Sequence, residues 1–200
     1  MGKAFSEKER SLLQQKLRET GLRLFAEKGI KGVSIRELTS AAGIAQGGFY
    51  TFYKDKTDFI TDLVELRVRE KLAKMAENKE TSLADPVEFL SGQFYAEGMH
   101  LKENKAFDNA LSGTMELFFG IDKNAADRIK SLYREYIDKL IQYWRDNGYA
   151  VEADTDGLLS MIRMCAIMVI NSSLMDEGYY RQIYRTFCYA QVREFIKVSR

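Results

Sequence analysis

Apolar side chains recur at three- and four-residue intervals along most of the chain, a spacing that predicts helices. Leu13, Leu17, Gly21, Leu24 and Phe25 share one face of a first helix. The capping box Ser6-Glu7-Lys8-Glu9 opens it, and an αL Gly29 closes it. Ser34-Ile35-Arg36-Glu37 is a second capping box, opening a short helix through Leu38, Ala41 and Ala42 that Gly43 ends. A third short helix is expected from about Ala45 to Phe52, and Asp55 caps a longer one through Phe59, Leu63 and Leu66, ending near Asn78. Residues 79–85 read as loop, and Asp85-Pro86 as an N-cap with proline at the first helical position. Further helices are expected at about 86–101, 105–119, 123–147, 155–175 and 178–197, with breaks at Asn147-Gly148 and Glu177-Gly178. No alternating strand, repeat or low-complexity stretch is evident. The fold class is all-α: a three-helix head over residues 1–54 and a larger helical body over residues 55–200.

Composition agrees with this reading. The 200 residues are 46% hydrophobic and 30% charged, with a single proline. The net charge of +1 is unevenly spread: residues 1–58 carry +4 and the remainder −3. A basic head on an acidic body suits an anionic partner at the N-terminal end. The N-terminus lacks an apolar signal core, although Met1-Gly2 with Ser6 fits the short pattern for N-myristoylation. The run Met164–Ile170 is too short to span a bilayer, so the expected location is cytoplasmic, with no membrane association. Cys165 and Cys188 form no CxxC pair and His100 is the only histidine, which leaves too few ligands for a structural zinc site. No metal and no cofactor is expected. There is no nucleophile elbow and no phosphate loop, and an enzyme is not expected.

The stretch GIAQGGFYTFYKDK, residues 43–56, places two adjacent glycines and four aromatics inside otherwise helical sequence. Two short capped helices joined by Gly43-Ile44-Ala45 have helix-turn-helix spacing. A recognition helix must bring its backbone close to DNA, and Gly47 and Gly48 remove side chains that would hold it away. Residues 32–60 resemble the TetR family of bacterial transcription regulators. The resemblance rests on Ser34 as cap, the turn Ala42-Gly43-Ile44, the run Gly47-Gly48-Phe49-Tyr50, the pair Phe52-Tyr53 and Lys56; Phe25-Ala26-Glu27-Lys28-Gly29 extends it. Gly48 stands where the family commonly has Thr or Ala, and Ala45 where Ser is usual.

Candidate contacts follow from the chemistry and the resemblance together. Ser34, Arg36, Tyr50, Lys54 and Lys56 are expected at phosphates, and Gln46 at a base edge, where its amide pairs with adenine. Ala45, Gly47 and Gly48 give close approach, and Thr51 meets a thymine methyl or a phosphate. Phe49 and Tyr53 are expected in the head's core, while Phe52 is open between core and DNA.

The body's aromatic and methionine residues suit a bundle core, and the resemblance implies an effector pocket among them. Candidate pocket residues are Phe94, Met99, Met115, Phe119, Tyr136, Trp144 and Met168, with His100, Glu116 and Arg163 as polar groups that orient a ligand or serve as salt-bridge or surface residues. The resemblance also implies a homodimer through the last two helices, by Leu158, Ile162, Cys165 and Val169 and by Ile183, Phe187 and Ala190. The expected function is a ligand-responsive repressor of a palindromic operator, released by a small, largely apolar effector. The alternatives are a constitutive regulator without effector and a helical partner-binding module.

Overall fold

The Ser6 capping box forms in both directions. In a computed structural model, which describes residues 6–103 and 123–200, the Ser6 hydroxyl accepts the Glu9 N–H at 3.3 Å. The Glu9 carboxylate accepts the Ser6 N–H at 2.9 Å. This opens α1, Glu7–Lys28. Gly29 ends it with φ +69° but ψ 162°, a positive-φ extended cap instead of the αL one expected. Ser34 caps α2, Ile35–Ala42, yet only half of the second box forms, because the Glu37 carboxylate pairs with the Lys28 ammonium and ties α2 back to α1. Gly43 adopts the expected αL conformation, and α3 is confined to Gln46–Phe49, shorter than its sequence suggests. The chain turns after Phe49, whose carbonyl accepts from both Phe52 and Tyr53. Asp55 then caps α4, Lys56–Ala76.

Beyond α4, the supposed loop at 79–85 is a 3-10 turn, Lys79–Leu83. It leads to α5, Pro86–Glu103; α6 spans Lys123–Asp146, α7 Thr155–Ile170 and α8 Glu177–Phe195. The helix expected at 105–119 lies outside the described residues. The α7 pattern stops early at Ile170, before a second 3-10 turn, Ser172–Leu174, and Asp176 caps α8, so the break precedes Glu177-Gly178. The all-α class holds, but the expectation of no strand needs a correction. Strand β1, Ala150–Ala153, pairs antiparallel with β2, Ile196–Ser199, in the register Ala150↔Ser199. Each is only four residues long, too short for alternation to register in the sequence. Among the described residues no helix is long and apolar enough to cross a membrane.

Two cores result, and they divide inside α4. Leu17, Leu24, Phe25, Leu38, Phe49, Tyr53, Phe59 and Leu63 form the head's core, together with Ala125 from α6. The larger core begins at Val68 and is filled by α5 to α8. Helix α6 turns Ile129, Tyr133, Ile137, Leu140 and Trp144 inward at three- to four-residue intervals. The Trp144 indole N–H donates to the Ser82 hydroxyl at 2.7 Å, which locks the 3-10 turn to the end of α6.

Helices α1 and α4 meet closely at Gly21, where an added Cβ would lie 2.5 Å from the tip of Phe59. Phe59 is fully buried between Phe25, Phe49 and Tyr53 and has nowhere to swing. Gly21→Ala is therefore expected to destabilise the protein by about 1–3 kcal/mol through overpacking. Chemical denaturation checks this; an unchanged midpoint would show that the contact relaxes freely.

Candidate nucleic-acid interface

The aromatic run at residues 49–53 divides between core and surface. Phe49 and Tyr53 are buried as expected, with Phe49 at 5.7 Å and Tyr53 at 4.9 Å from the Phe59 ring centroid. Tyr50 remains 51% exposed, its ring edge-on to Phe49 at 5.4 Å, so its hydroxyl is presented to solvent from a fixed base. Phe52 is half-buried beneath the Arg10 guanidinium, at 5.4 Å from the ring centroid, and Arg10 also donates to the Thr51 carbonyl at 3.0 Å. Phe52 is thus a packing residue that ties α1 to the end of α3.

The turn and α3 offer little bulk to a partner. Ala45, Gln46 and Gly47 are exposed, and no side chain caps α3 at Ala45. Neither Gly47 nor Gly48 has positive φ. Among the described residues, a Cβ on Gly47 would meet nothing within 4 Å, and one on Gly48 only Ile44 at 3.9 Å. The fold itself does not require glycine at either position. Ser34, Arg36 and Lys54 are exposed beside this tip, while the Thr51 hydroxyl is turned to the Gly48 carbonyl at 2.7 Å.

The expectation that Lys56 offers a free point charge to a phosphate is corrected. Its ammonium donates to the carbonyls of Ile30 and Val33, both at 2.5 Å, and lies 5.9 Å from the Phe25 ring centroid. Burial lowers its pKa. Lys56 clamps the link between α1 and α2 to the start of α4.

One positioning group escaped the sequence reading. Arg18 grips Asp62 with two hydrogen bonds, at 2.7 and 2.5 Å, and the Tyr53 hydroxyl donates to the same carboxylate at 2.7 Å. Its members lie on α1, α4 and the turn after α3, so no local motif announces them. The nearest signal was the aromatic pair Phe52-Tyr53, whose second ring carries a hydroxyl into the head.

The expected pocket residues do not form one site. Phe94, Met99, Tyr136 and Trp144 are buried in the body core and Met168 packs against it, but His100 and Arg163 are exposed and turn away from any interior ligand. Met115, Glu116 and Phe119 lie outside the described residues. Polar groups that do enter the core are Lys71, which donates to the Tyr133 hydroxyl at 3.0 Å and meets Glu97 at 3.2 Å, and Tyr136, which donates to Gln93. The dimer residues are corrected in part. Leu158, Cys165 and Val169 face the chain's own core, with Ile162 and Phe187 packed against it; of the set only Ile183 and Ala190 are exposed. Exposed apolar groups instead gather from the end of α7 into α8: Met164, Leu174, Met175, Tyr179 and Ile183.

With this geometry in place, residues 17–63 match the sequence profile described as bacterial regulatory proteins, tetR family. Over these residues the chain is similar to the TetR family. The uncharacterized HTH-type transcriptional regulator YerO of Bacillus subtilis (strain 168) is 32% identical over 96 residues, which is 47% of this chain and 33% of YerO. The aligned stretch thus spans about a third of that relative. The crystal structure of RolR in complex with resorcinol shares the fold over 95% of this chain and 90% of its own, with a TM-score of 0.70 at 20% identity. FadR from Bacillus subtilis in complex with stearoyl-CoA does so over 89% and 97%, with a TM-score of 0.56 at 16% identity. The matched residues run from α1 into the first half of α4 and so cover the helical head described above.

The Arg18–Asp62–Tyr53 group predicts a pH dependence. Burial opposes ionisation of Asp62, but the hydrogen bonds from Arg18 and Tyr53 outweigh it and hold the carboxyl below its ordinary pKa. Its stabilising contribution is complete above the unfolded value of about 3.9 and is lost as pH falls through the lower folded value. Asp62→Asn is expected to cost on the order of 1–3 kcal/mol near neutral pH, with the gap to wild type narrowing below about pH 4. Melting curves from pH 7 to pH 3 test this; a constant gap across the range would refute it.

Proposed function

We propose that this chain is a repressor of the TetR type, which binds a palindromic operator as a homodimer and is released by a small, largely apolar effector. Residues 1–54 act as the DNA-binding head and 55–200 as the effector-binding and dimerisation body, and the first half of α4 completes the head's core from the body's side of that boundary. The observation that carries the DNA reading is the pair Gly47 and Gly48, exposed or half-exposed at negative φ with open space at both Cβ positions. A helix interior loses about 1 kcal/mol for each glycine in place of alanine, so a partner approaching closely is the reason for keeping them. Gln46 beside them reads a base edge, and Ser34, Arg36, Tyr50 and Lys54 hold phosphates on either side. Ala45 and Thr51 border the same surface.

The homodimer reading rests on Met164, Leu174, Met175, Tyr179 and Ile183, large apolar side chains left exposed between the end of α7 and α8, of the kind subunit interfaces cover. The effector reading draws on the buried Phe94, Met99, Tyr136 and Met168 beside the polar Lys71–Glu97–Tyr133 group, and on the bound resorcinol and stearoyl-CoA of proteins with the same fold.

Four measurements test these readings. Gly47→Ala should stabilise the free protein by up to about 1 kcal/mol, whereas Gly47→Leu should abolish operator binding with the melting temperature preserved. Full operator affinity in Gly47→Leu, measured on fragments selected from genomic DNA, would refute close approach. Gln46→Ala should cost about 1–3 kcal/mol at one operator position and relax its preference; an unchanged consensus would remove Gln46 from base readout. Ile183→Asp should convert a dimer to a helical monomer in sedimentation, and a persistent dimer would place the interface elsewhere. A thermal-shift screen of apolar aromatic compounds addresses the effector, and no shift from any of them would favour constitutive binding.

A further inference from the structure

One cluster of nucleophilic and titratable side chains in the body has no part in DNA binding. Cys165 on α7 and Cys188 on α8 are the chain's two cysteines, and their sulfurs stand 3.9 Å apart although 23 residues separate them in sequence. Both are buried, Cys188 completely, while Cys165 keeps 8% of its surface exposed. Tyr180 and Tyr184 accompany them as a stacked pair, with centroids 5.7 Å apart and planes within 9°. The Tyr184 hydroxyl donates to the Phe94 carbonyl at 3.3 Å, and the Tyr180 hydroxyl is buried with no hydrogen-bond partner among the described residues.

We propose that Cys165 and Cys188 are a dithiol modification site, which a hydroperoxide converts into an intramolecular disulfide tying α7 to α8. The sulfurs are in van der Waals contact already, and closing to a bond of about 2.05 Å asks them to approach by about 1.9 Å. The two thiols are not equivalent. Either sulfur is placed to donate to the other; the hydrogen bond between them lowers the Cys165 pKa against the effect of burial, and the positive Lys71 adds to it. The same hydrogen bond, with burial, raises Cys188 and keeps its proton in place. Cys165, the more exposed sulfur, is therefore the attacking group and Cys188 the resolving one.

The chemistry balances without a further reagent. The Cys165 thiolate attacks one peroxide oxygen, the O–O bond breaks, and Cys165 becomes a sulfenic acid while the departing oxygen takes a proton and leaves as water or alcohol. The Cys188 sulfur then attacks the Cys165 sulfur; the S–S bond forms, the S–O bond breaks, and hydroxide leaves with the Cys188 proton as water. The two electrons lost by the sulfur pair are those that reduce the peroxide. The proposal does not depend on the operator or the effector, and its failure would leave both readings intact.

The test uses the full-length native protein, hydrogen peroxide as oxidant, alkylation of the remaining thiols and intact-mass measurement. The expected result is a loss of about 2 Da per chain with no chain-to-chain link, reversed by dithiothreitol, and a melting temperature raised by about 5 °C or more. In Cys188→Ser, a sulfenic-acid probe such as dimedone should label Cys165; in Cys165→Ala, Cys188 should stay unlabelled at the same dose. Full alkylation of both thiols in peroxide-treated wild type, or a link between chains, would overturn the site. Equal labelling of Cys188 in Cys165→Ala would overturn the order of attack. Should either variant fail to fold, the wild-type mass and its cross-link map decide the site unaided.

Discussion

The packing of aromatic rings around Phe59 is the constraint on which the head depends. Phe59 belongs to α4, but its ring touches Phe25 of α1, Phe49 of α3 and Tyr53 of the following turn, and reaches the α1 backbone at Gly21. Offset and edge-on contacts of this kind add to area burial and fix ring orientation as well as proximity. A four-residue helix such as α3 has almost no stability of its own. Its place on the head is set by the burial of Phe49 against a ring from the helix that continues into the body.

That arrangement gives α4 two mechanical roles. Its first half carries Phe59, Ile60 and Leu63 into the head's core, and its second half carries Val68 and Leu72 into the body's core. Ala125 of α6 also enters the head's core, and Arg128 reaches Glu65 of α4 at 2.7 Å. A rotation of α4 against α6 would therefore be felt at Phe49 and Tyr53, directly beneath Gln46 and Tyr50. Close-packed interiors pass such movements on and do not absorb them.

Charge in the head serves placement more than attraction. Lys56 is spent on two carbonyls, Arg10 on the Thr51 carbonyl and the Phe52 face, Arg18 on Asp62, and Lys28 on Glu37. Cations already held in this way have little freedom to neutralise a phosphate, so what α3 presents is backbone, an amide and a phenol. The body shows the complementary case: a Lys71 ammonium drawn inward is kept charged by Glu97 and the Tyr133 hydroxyl, although burial alone would favour its neutral form.

Local signals in the sequence determined most of the helices. Ser6, Ser34, Asp55 and Asp85 each cap the helix expected of them, because a cap involves residues two or three apart and needs no tertiary context. The glycine pair and the exposed Gln46 and Tyr50 were legible for the same reason. Long-range contacts decided the rest. Lys56 looks like a surface charge in the sequence and Phe52 is open between core and DNA, and only the return of Ile30, Val33 and Arg10 turned them into clamps. Helix α7 is apolar on several faces, so periodicity could not say whether Leu158, Cys165 and Val169 meet a partner or α8; the packing of α8 against them decided it. The strands at 150–153 and 196–199 exist only because α7 and α8 bring their ends together, and a four-residue strand has no stability until its partner arrives.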